Sequence, residues 1–181
     1  DIHDYATVFL DGKYIGILDR RLGINSIDLP SSGSDHPLLE IFTEAMGRIN
    51  FAHAMIDRKG ITDRVILNGM TLMNWEVRGF PMSDGYTESL RATEGDMNKP
   101  GIFFKGTLTL EKTADTFIDM PNFVKGVVWV NGHNLGRYWE IGPQTRLFCP
   151  ASWLHQGENE IIVFDLHKTT PGSVRGFETM N

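Results

Sequence analysis

The chain has 181 residues, of which 41% are hydrophobic and 22% charged, with 17 Lys and Arg residues against 23 Asp and Glu residues. This balance is typical of globular proteins, and the apolar runs are too short for a membrane-spanning helix of about 20 residues. The net charge of −6 and the absence of a basic cluster exclude nucleic acid and anionic membranes as expected partners. The single cysteine, Cys149, excludes an internal disulfide and a cysteine-based zinc site.

Short runs of aliphatic and aromatic residues, separated by turn-forming residues, predict β-strands along the whole chain. In chain order, the predicted strands are 5–10, 13–18, 38–43, 64–67, 71–77, 101–110, 116–120, 126–130, 146–149 and 160–166. β-Branched and aromatic residues fit a pleated, half-buried surface, and many short strands are typical of a sandwich or barrel. The segments 42–50 and 150–154 hold a helical turn at most. The sequence therefore predicts an all-β protein.

Three dipeptides of Asp or Asn followed by Gly stand where two-residue hairpin turns are expected. Type I′ turns require positive φ at both central residues, and these dipeptides tolerate that conformation. The dipeptides are Asp11-Gly12, Asn68-Gly69 and Asn131-Gly132. We assign structural roles to Asp11, Gly12, Asn131 and Gly132, and we expect positive φ at both of these glycines.

An internal repeat relates the two halves of the sequence at a constant offset of 120 residues. The aligned segments are 8–16 with 128–136, 29–30 with 149–150, and 39–41 with 159–161. The first of these pairs reads Val-Phe-Leu-Asp-Gly-Lys-Tyr-Ile-Gly against Val-Trp-Val-Asn-Gly-His-Asn-Leu-Gly. Each half is therefore predicted to contain a copy of one supersecondary unit, made of a hairpin, a loop and further strands.

The composition changes between the two copies of the repeat. The segment 81–100 is polar and rich in turn-forming residues, which is typical of a linker. We therefore expect a first β-module at 1–80, a linker at 81–100 and a second β-module at 101–181.

The residues that carry common catalytic and metal chemistry lack recognised spacing. No Gly-x-Ser-x-Gly motif is present, and no two histidines have metal-ligand spacing. The Gly-x-x-x-Gly segments lack the Lys-Ser/Thr ending of a phosphate loop and precede strands. A glycosidase-type carboxylate pair stays open from sequence alone, but Glu40, Glu44, Glu158 and Glu160 lie at predicted strand ends and loops. We expect no catalytic residue, metal site or cofactor in this chain.

Five aromatic residues concentrate within 25 residues and allow two interpretations. They are Trp129, Tyr138, Trp139, Phe148 and Trp153. Aromatic faces can stack on pyranose rings, with Asn134 and Arg137 bonding the hydroxyl groups, or they can form the core of a β-sandwich. Trp129 is assigned to the core because both faces of its strand are apolar, which suits cover by a partner sheet and by a neighbouring module. Trp139 stays open between a structural role and a sugar platform.

The most specific string in the sequence is residues 126–139, Gly-Val-Val-Trp-Val-Asn-Gly-His-Asn-Leu-Gly-Arg-Tyr-Trp. With Gly142-Pro143-Gln144 and residues 147–150, it resembles the last β-module of glycoside hydrolase family 35 β-galactosidases. The segments 6–12, 44–51 and 57–61 resemble the preceding module of the same enzymes. The resemblance covers most of residues 3–80 and 100–166, and the hairpin motif also occurs in jelly-roll domains of other glycosidases.

The resemblance implies jelly-roll β-sandwich modules of galactose-binding-domain-like type, with the first module incomplete at its N-terminus. In this family, a (β/α)₈ barrel carries the two glutamates of a retaining mechanism that releases terminal β-galactose. Because such a barrel takes about 250 residues, this chain would be the non-catalytic C-terminal part and inactive alone. It would brace the barrel and shape the rim of its pocket. The implied partners are that barrel and, indirectly, the galactoside substrate.

The resemblance also places Arg48, Asn50 and Phe51 on the loop nearest the substrate, and Phe51 stands where family members often carry a tyrosine. One alternative is an autonomous carbohydrate-binding module that holds galactosides through Trp139 and the polar neighbours named above. Another is a protein-interaction sandwich without a sugar role, since fold alone does not determine function. The compartment stays open, with a secreted or periplasmic bacterial location as one alternative.

Overall fold

The computed structural model describes residues 1–93, 96 and 98–180, and the chain divides into two compact units, Asp1–Arg78 and Gly79–Asn181. The regular secondary structure of these residues consists of β-strands and four short 3₁₀ turns, which confirms the predicted all-β class. The expected linker, 81–100, belongs to the second unit by its contacts. Gly95, one of its turn-forming residues, lies outside the described residues, and the predicted bounds of the two modules and the linker stay a prediction.

The first unit contains seven strands and a three-stranded antiparallel sheet of order β3-β2-β4. Two shorter pairs, β1–β5 and β6–β7, complete it. The strands are β1 (Ile2–His3), β2 (Tyr5–Leu10), β3 (Lys13–Asp19), β4 (Leu39–Glu44), β5 (Gly60–Ile61), β6 (Ile66–Leu67) and β7 (Met70–Thr71). The predicted strand 71–77 is wrong beyond Thr71, because no strand of the described residues pairs with 72–77.

The second unit is a sandwich of two antiparallel sheets, with orders β11-β10-β13-β8 and β12-β9-β14. Its strands are β8 (Ile102–Leu110), β9 (Thr116–Asp119), β10 (Lys125–Val130), β11 (His133–Trp139), β12 (Arg146–Cys149), β13 (Gly157–Asp165) and β14 (Arg175–Phe177). The core lies between the sheets, where Ile118 and Leu147 from the smaller sheet meet Val128 and Val163 from the larger one. Cys149 is buried in the same core as a free thiol.

The two long hairpins have the same turn and the same bulge. Asp11 and Gly12 have φ of 51° and 74°, and Asn131 and Gly132 have φ of 50° and 83°, which confirms the type I′ turns. In each hairpin the register shifts by one residue at the equivalent position, after Val8 in β2 and after Val128 in β10. The offset of 120 residues therefore holds in three dimensions for both strands of the hairpin.

For the third strand of the repeat, the alignment of the two halves in the structure differs by two residues from the alignment in the sequence. Leu10 pairs with Leu39 and Val130 pairs with Ile161, so β4 and β13 are related by an offset of 122. The predicted alignment of Leu39 with Asn159 is therefore wrong. A shift of two residues keeps each side chain on the same face of the sheet, so the apolar pattern alone could not reveal it.

Trp129 is 1% exposed and packs on the face of the larger sheet that points away from the sandwich core. Its ring lies 6.3 Å from the ring of Tyr86 and 6.1 Å from that of Phe103. Its Nε1 donates a hydrogen bond to the carbonyl oxygen of Ser83, at 3.3 Å. The segment around residues 83–86 of the same unit therefore covers part of this face. The sequence predicts that a neighbouring module covers it.

Candidate functional site

The loop that follows β4 carries the three residues expected nearest a substrate, Arg48, Asn50 and Phe51. All three are exposed, and Phe51 keeps 80% of its accessible surface. An exposed phenylalanine is costly to leave in water, because burial of such a side chain contributes roughly 1.5–3 kcal/mol. The loop therefore presents one aromatic face and two groups able to bond sugar hydroxyls.

A buried network of charges stands at the base of this loop. Asp4, between β1 and β2, and Asp57, before β5, are 4% and 6% exposed. Nη1 of Arg20 lies 2.9 Å from Oδ1 of both carboxylates. Nζ of Lys59 lies 2.5 Å from Oδ2 of Asp4 and 2.6 Å from Oδ2 of Asp57. Two cations thus bridge two carboxylates, which matches the rule that buried charges are paired.

The network also holds the backbone of the loop. Oδ2 of Asp4 accepts a hydrogen bond from the amide of Met46 at 3.1 Å, and Nζ of Lys59 donates to the carbonyl oxygen of Gly47 at 3.2 Å. These two contacts fix the two residues of the loop that directly precede Arg48. A loop fixed in this way loses less conformational entropy when it meets a ligand.

The electrostatics of the network keep both carboxylates ionised. For Asp57, the hydrogen bond from Lys59 outweighs the effect of burial and, together with Arg20, lowers the pKa to about 2. For Asp4, burial opposes ionisation, but the hydrogen bonds from Lys59 and Arg20 still lower the pKa below its usual value. The same pairs raise the pKa of Lys59, against the effect of its burial. The network is therefore fully charged at neutral pH.

Sequence reasoning missed this network, since Asp4, Arg20, Asp57 and Lys59 are separated by up to 55 residues. A usable signal was present in the run Asp57-Arg58-Lys59. There, three charged residues stand directly before a strand. The signal does not identify the partners, because each charge finds its counterpart only after β1 pairs with β5.

The other group of predicted site residues, Asn134, Arg137 and Trp139, lies along β11. They pair with Trp129, Val127 and Lys125 of β10, respectively, so the structure places all three on one face of the sheet. At about 3.3 Å per residue, however, Asn134 and Trp139 stand about 15 Å apart, which is wider than a single pyranose ring. One monosaccharide therefore cannot contact both.

Asn134 uses its polar groups within the second unit. Its backbone amide donates to Oδ1 of Asp84 at 2.7 Å, and its side-chain Nδ2 donates to the carbonyl oxygen of Met82. Its side-chain Oδ1 accepts from the backbone amide of Gly136 at 2.7 Å. These bonds hold the segment 82–84 against the start of β11. The geometry therefore gives Asn134 a positioning role in the fold.

Trp139 lies beside a small cleft at the end of β11. Nζ of Lys125, a residue that is 3% exposed, lies 4.3 Å from the centroid of the Trp139 ring. The cleft has a volume of about 110 Å³, and its lining includes Asp119 and Glu140. Ligand pockets usually have about 300–1,000 Å³, so this cleft can take only part of a sugar.

Within the described residues, no group of three or more His, Cys, Asp and Glu side chains is arranged to hold a metal ion. The same residues include no helix that is long and apolar enough to cross a membrane. The network around Asp4 is the densest set of ionisable side chains that we find in the first unit.

The all-β fold of the two units is that of a class, the jelly-roll β-domains of galactose-binding-domain-like type. Comparison with known families gives the same result. Residues 1–83 match "Beta-galactosidase, first all-beta domain" and residues 101–159 match "Beta-galactosidase, galactose-binding domain". The chain therefore belongs to the β-galactosidase family of glycoside hydrolase family 35 type, and it consists of β-domains of that family.

Individual relatives support this assignment over nearly the whole chain. Beta-galactosidase-1-like protein 3 of Rattus norvegicus is 38% identical over 170 residues, which cover 91% of this chain and 26% of the relative. The beta-galactosidase of Xanthomonas manihotis is 38% identical over 153 residues, 84% of this chain and 25% of the relative. The beta-galactosidase of Bos taurus is 34% identical over 186 residues, which cover 91% of this chain and 28% of the relative. The chain thus spans about a quarter of the length of these relatives.

Proposed function

We propose that this chain is the supporting β-portion of a β-galactosidase that releases terminal β-linked galactose, and that it braces the catalytic (β/α)₈ barrel and shapes the rim of its pocket. The names of the relatives support the activity, and their length leaves room for a catalytic domain in the same polypeptide. The chain alone carries none of the catalytic glutamates and should be inactive.

The observation that carries this proposal is the concentration of exposed apolar side chains in the second half of the first unit. Nine large hydrophobic residues from position 49 to position 77 keep at least 40% of their surface, namely Ile49, Phe51, Met55, Ile56, Ile66, Met70, Met73, Trp75 and Val77. Ile56 and Val77 are 89% and 87% exposed. Large exposed apolar patches mark interaction sites, and we infer that these side chains pack against the catalytic barrel.

The proposed role at the pocket rim rests on the loop 45–51 and on the network of charges that holds it. The Asp4–Lys59 contacts hold the start of the loop, so Arg48 and Asn50 can meet substrate hydroxyls without a large ordering cost. Phe51 supplies a ring that can pack on the barrel or on the apolar face of a sugar. We infer that this loop lies where the exposed apolar surface at 49–77 meets the rim of the pocket.

The proposal is tested on this chain and on the longer β-galactosidase that contains it. This chain should not hydrolyse a chromogenic β-galactoside, and the longer protein should. In the longer protein, Arg48→Ala should raise KM for the galactoside several-fold. Arg175→Ala, which removes an exposed arginine of the second unit, should leave KM unchanged.

Two outcomes would overturn this assignment. Turnover by this chain that disappears when Glu40 or Glu160 is neutralised would place catalysis within it. Saturable quenching of tryptophan fluorescence by galactose, lost in Trp139→Ala with the melting temperature retained, would make the chain an autonomous carbohydrate-binding module.

A further inference from the structure

The dipeptide Asn68-Gly69 has the backbone conformation of the other two hairpin turns but different surroundings. Its φ angles are 48° and 83°, close to those of Asn131-Gly132. Both residues are exposed, and a Cβ added to Gly69 would meet nothing within 4 Å. Within the part of the chain that the structure describes, no hydrogen bond holds the Asn68 side chain. The turn between β6 and β7 therefore presents a free carboxamide beside an unhindered peptide nitrogen.

The corresponding dipeptide of the second unit has its carboxamide fixed on both sides. Nδ2 of Asn131 donates to the carbonyl oxygen of Trp153 at 2.7 Å and to Oδ1 of Asn159 at 2.9 Å. Its Oδ1 accepts from the amide of Glu160 at 2.9 Å. The strand before this turn, β10, is paired with β11 on one side and with β13 on the other. The Asn131 side chain therefore reaches the next peptide nitrogen only after these bonds break.

The hairpin that carries Asn68 has much weaker support. β6 and β7 contain two residues each, and among the described residues they pair only with each other. A single two-stranded hairpin is marginally stable at best in water. Ile66 and Met70, which flank the turn, are 57% and 67% exposed, so little packing holds the hairpin closed. The turn therefore opens at low free energy, and Asn68 then reaches conformations in which its Cγ meets the nitrogen of Gly69.

We propose that Asn68 is a modification site, where the chain converts spontaneously to aspartate and isoaspartate with water as the only co-reactant. The backbone nitrogen of Gly69 attacks Cγ of Asn68, the new N–Cγ bond forms as the Cγ–Nδ2 bond breaks, and ammonia leaves with the proton of that nitrogen. Water then opens the five-membered imide. Opening at Cγ gives aspartate, whereas opening at the main-chain carbonyl carbon gives isoaspartate. Nothing is oxidised or reduced.

Two conditions distinguish Asn68 from the asparagines used here for comparison. The next residue has to be glycine, because without a Cβ its nitrogen is open to attack, and the carboxamide has to be free. Asn131 meets the first condition only. Asn74 is exposed and has a φ of 60°, but Trp75 follows it and its bulky side chain shields the nitrogen. Asn68 meets both conditions, so it should convert first.

The products change the surface around the hairpin. Both add a negative charge, and isoaspartate also adds one atom to the backbone of a two-residue turn. Ile66 and Met70 belong to the exposed apolar surface at 49–77. If that surface packs against the catalytic barrel, the new charge enters an apolar contact, where an unpaired charge is costly. This consequence rests on the proposed function, whereas the modification itself does not.

Peptide mapping by mass spectrometry tests the site, after incubation of this chain at mildly alkaline pH. The mass increase from NH₂ to OH should appear at Asn68 at least about tenfold faster than at Asn131, because the hydrogen bonds of Asn131 have to break first. It should also appear faster than at Asn74. Isoaspartate and aspartate peptides should elute as two peaks of equal mass, and the rate should rise with pH because the attacking nitrogen loses its proton.

Denaturation and substitution supply the controls. In denaturant, Asn68 and Asn131 should convert at similar rates, while Asn74 stays slow. Asn68→Gln keeps a carboxamide that cyclises only through a six-membered ring, so position 68 should stay unmodified and the rate at Asn131 should not change. Conversion in the folded chain that is no faster at Asn68 than at Asn131 would overturn the proposal. Aspartate without isoaspartate would also overturn it, because direct hydrolysis forms no imide. Neither result bears on galactoside hydrolysis, so the proposed function stands or fails separately.

Discussion

Removal of the Trp129 side chain tests the interpretation of this residue as part of the structural core. The side chain is 1% exposed and contacts Tyr86, Phe103 and the carbonyl oxygen of Ser83. An aromatic side chain buries about 150–250 Å², which at about 25 cal/mol per Å² gives a transfer contribution of about 4–6 kcal/mol as an upper value. We expect Trp129→Ala to lower the free energy of unfolding by about 3–5 kcal/mol.

The measurement is chemical and thermal denaturation followed by far-ultraviolet circular dichroism, which does not depend on the fluorescence of the removed residue. For a unit of about 100 residues, 1 kcal/mol shifts the melting temperature by about 4–8 °C, so the midpoint should fall by at least about 12 °C. Trp129→Phe keeps a ring against Tyr86 and Phe103 and loses the bond to Ser83. It should cost about 1–2 kcal/mol.

Trp75→Ala is the matched control, because Trp75 is 40% exposed and its Nε1 donates to the nearby carbonyl oxygen of Leu72. It should cost less than about 1 kcal/mol. A loss below about 1 kcal/mol for Trp129→Ala would refute the assignment to the core. A stability gain from galactose that Trp129→Ala abolishes would show instead that Trp129 contacts a ligand.

Three further outcomes are expected. Gly132→Val should destabilise by roughly 1 kcal/mol or more, because it forces a β-branched residue to positive φ. Gly33→Val, at an exposed glycine with no neighbour within 4 Å of an added Cβ, should leave the thermal midpoint unchanged, and equal effects would contradict the turn assignment. Because the pKa of Asp57 is lowered to about 2, the network stabilises the folded state above the unfolded pKa of about 3.9. That contribution should disappear as pH falls towards 2, and denaturation at pH 5 and pH 2.5 should show a smaller pH effect in Lys59→Met than in the parent or in Lys112→Met. Gly126→Ala should disrupt the second unit, because an added Cβ would lie 1.8 Å from the carbonyl oxygen of Phe164. Folding of this variant with an unchanged midpoint would contradict the packing described for β10.

The features that the sequence predicted well are those with local causes. An Asn-Gly or Asp-Gly dipeptide carries its backbone preference within two residues, so the turns at Asp11 and Asn131 follow directly from composition. The apolar run that contains Trp129 indicates a strand that is buried on both faces. Neither feature requires knowledge of what lies far away in the chain.

The features that the sequence could not predict depend on distant partners. The Asp4 and Lys59 pair joins residues 55 positions apart, and the charged run at 57–59 does not identify the partner of any of its charges. The segment 82–84 is polar and turn-forming, which is typical of a linker. Its attachment becomes visible only when Asn134 bonds to Asp84 and Met82.

The turn residues of the two hairpins show how one structural unit can keep its geometry while its chemistry changes. In both copies, the side-chain Oδ1 accepts a bond from the third strand, from the amide of Leu38 to Asp11 at 2.8 Å and from that of Glu160 to Asn131 at 2.9 Å. Asn131 can also donate, and its Nδ2 bonds the carbonyl oxygen of Trp153 at 2.7 Å and Oδ1 of the fully buried Asn159 at 2.9 Å. Asp11 has no such donor. The second hairpin is therefore tied into a buried polar network that the first hairpin cannot form.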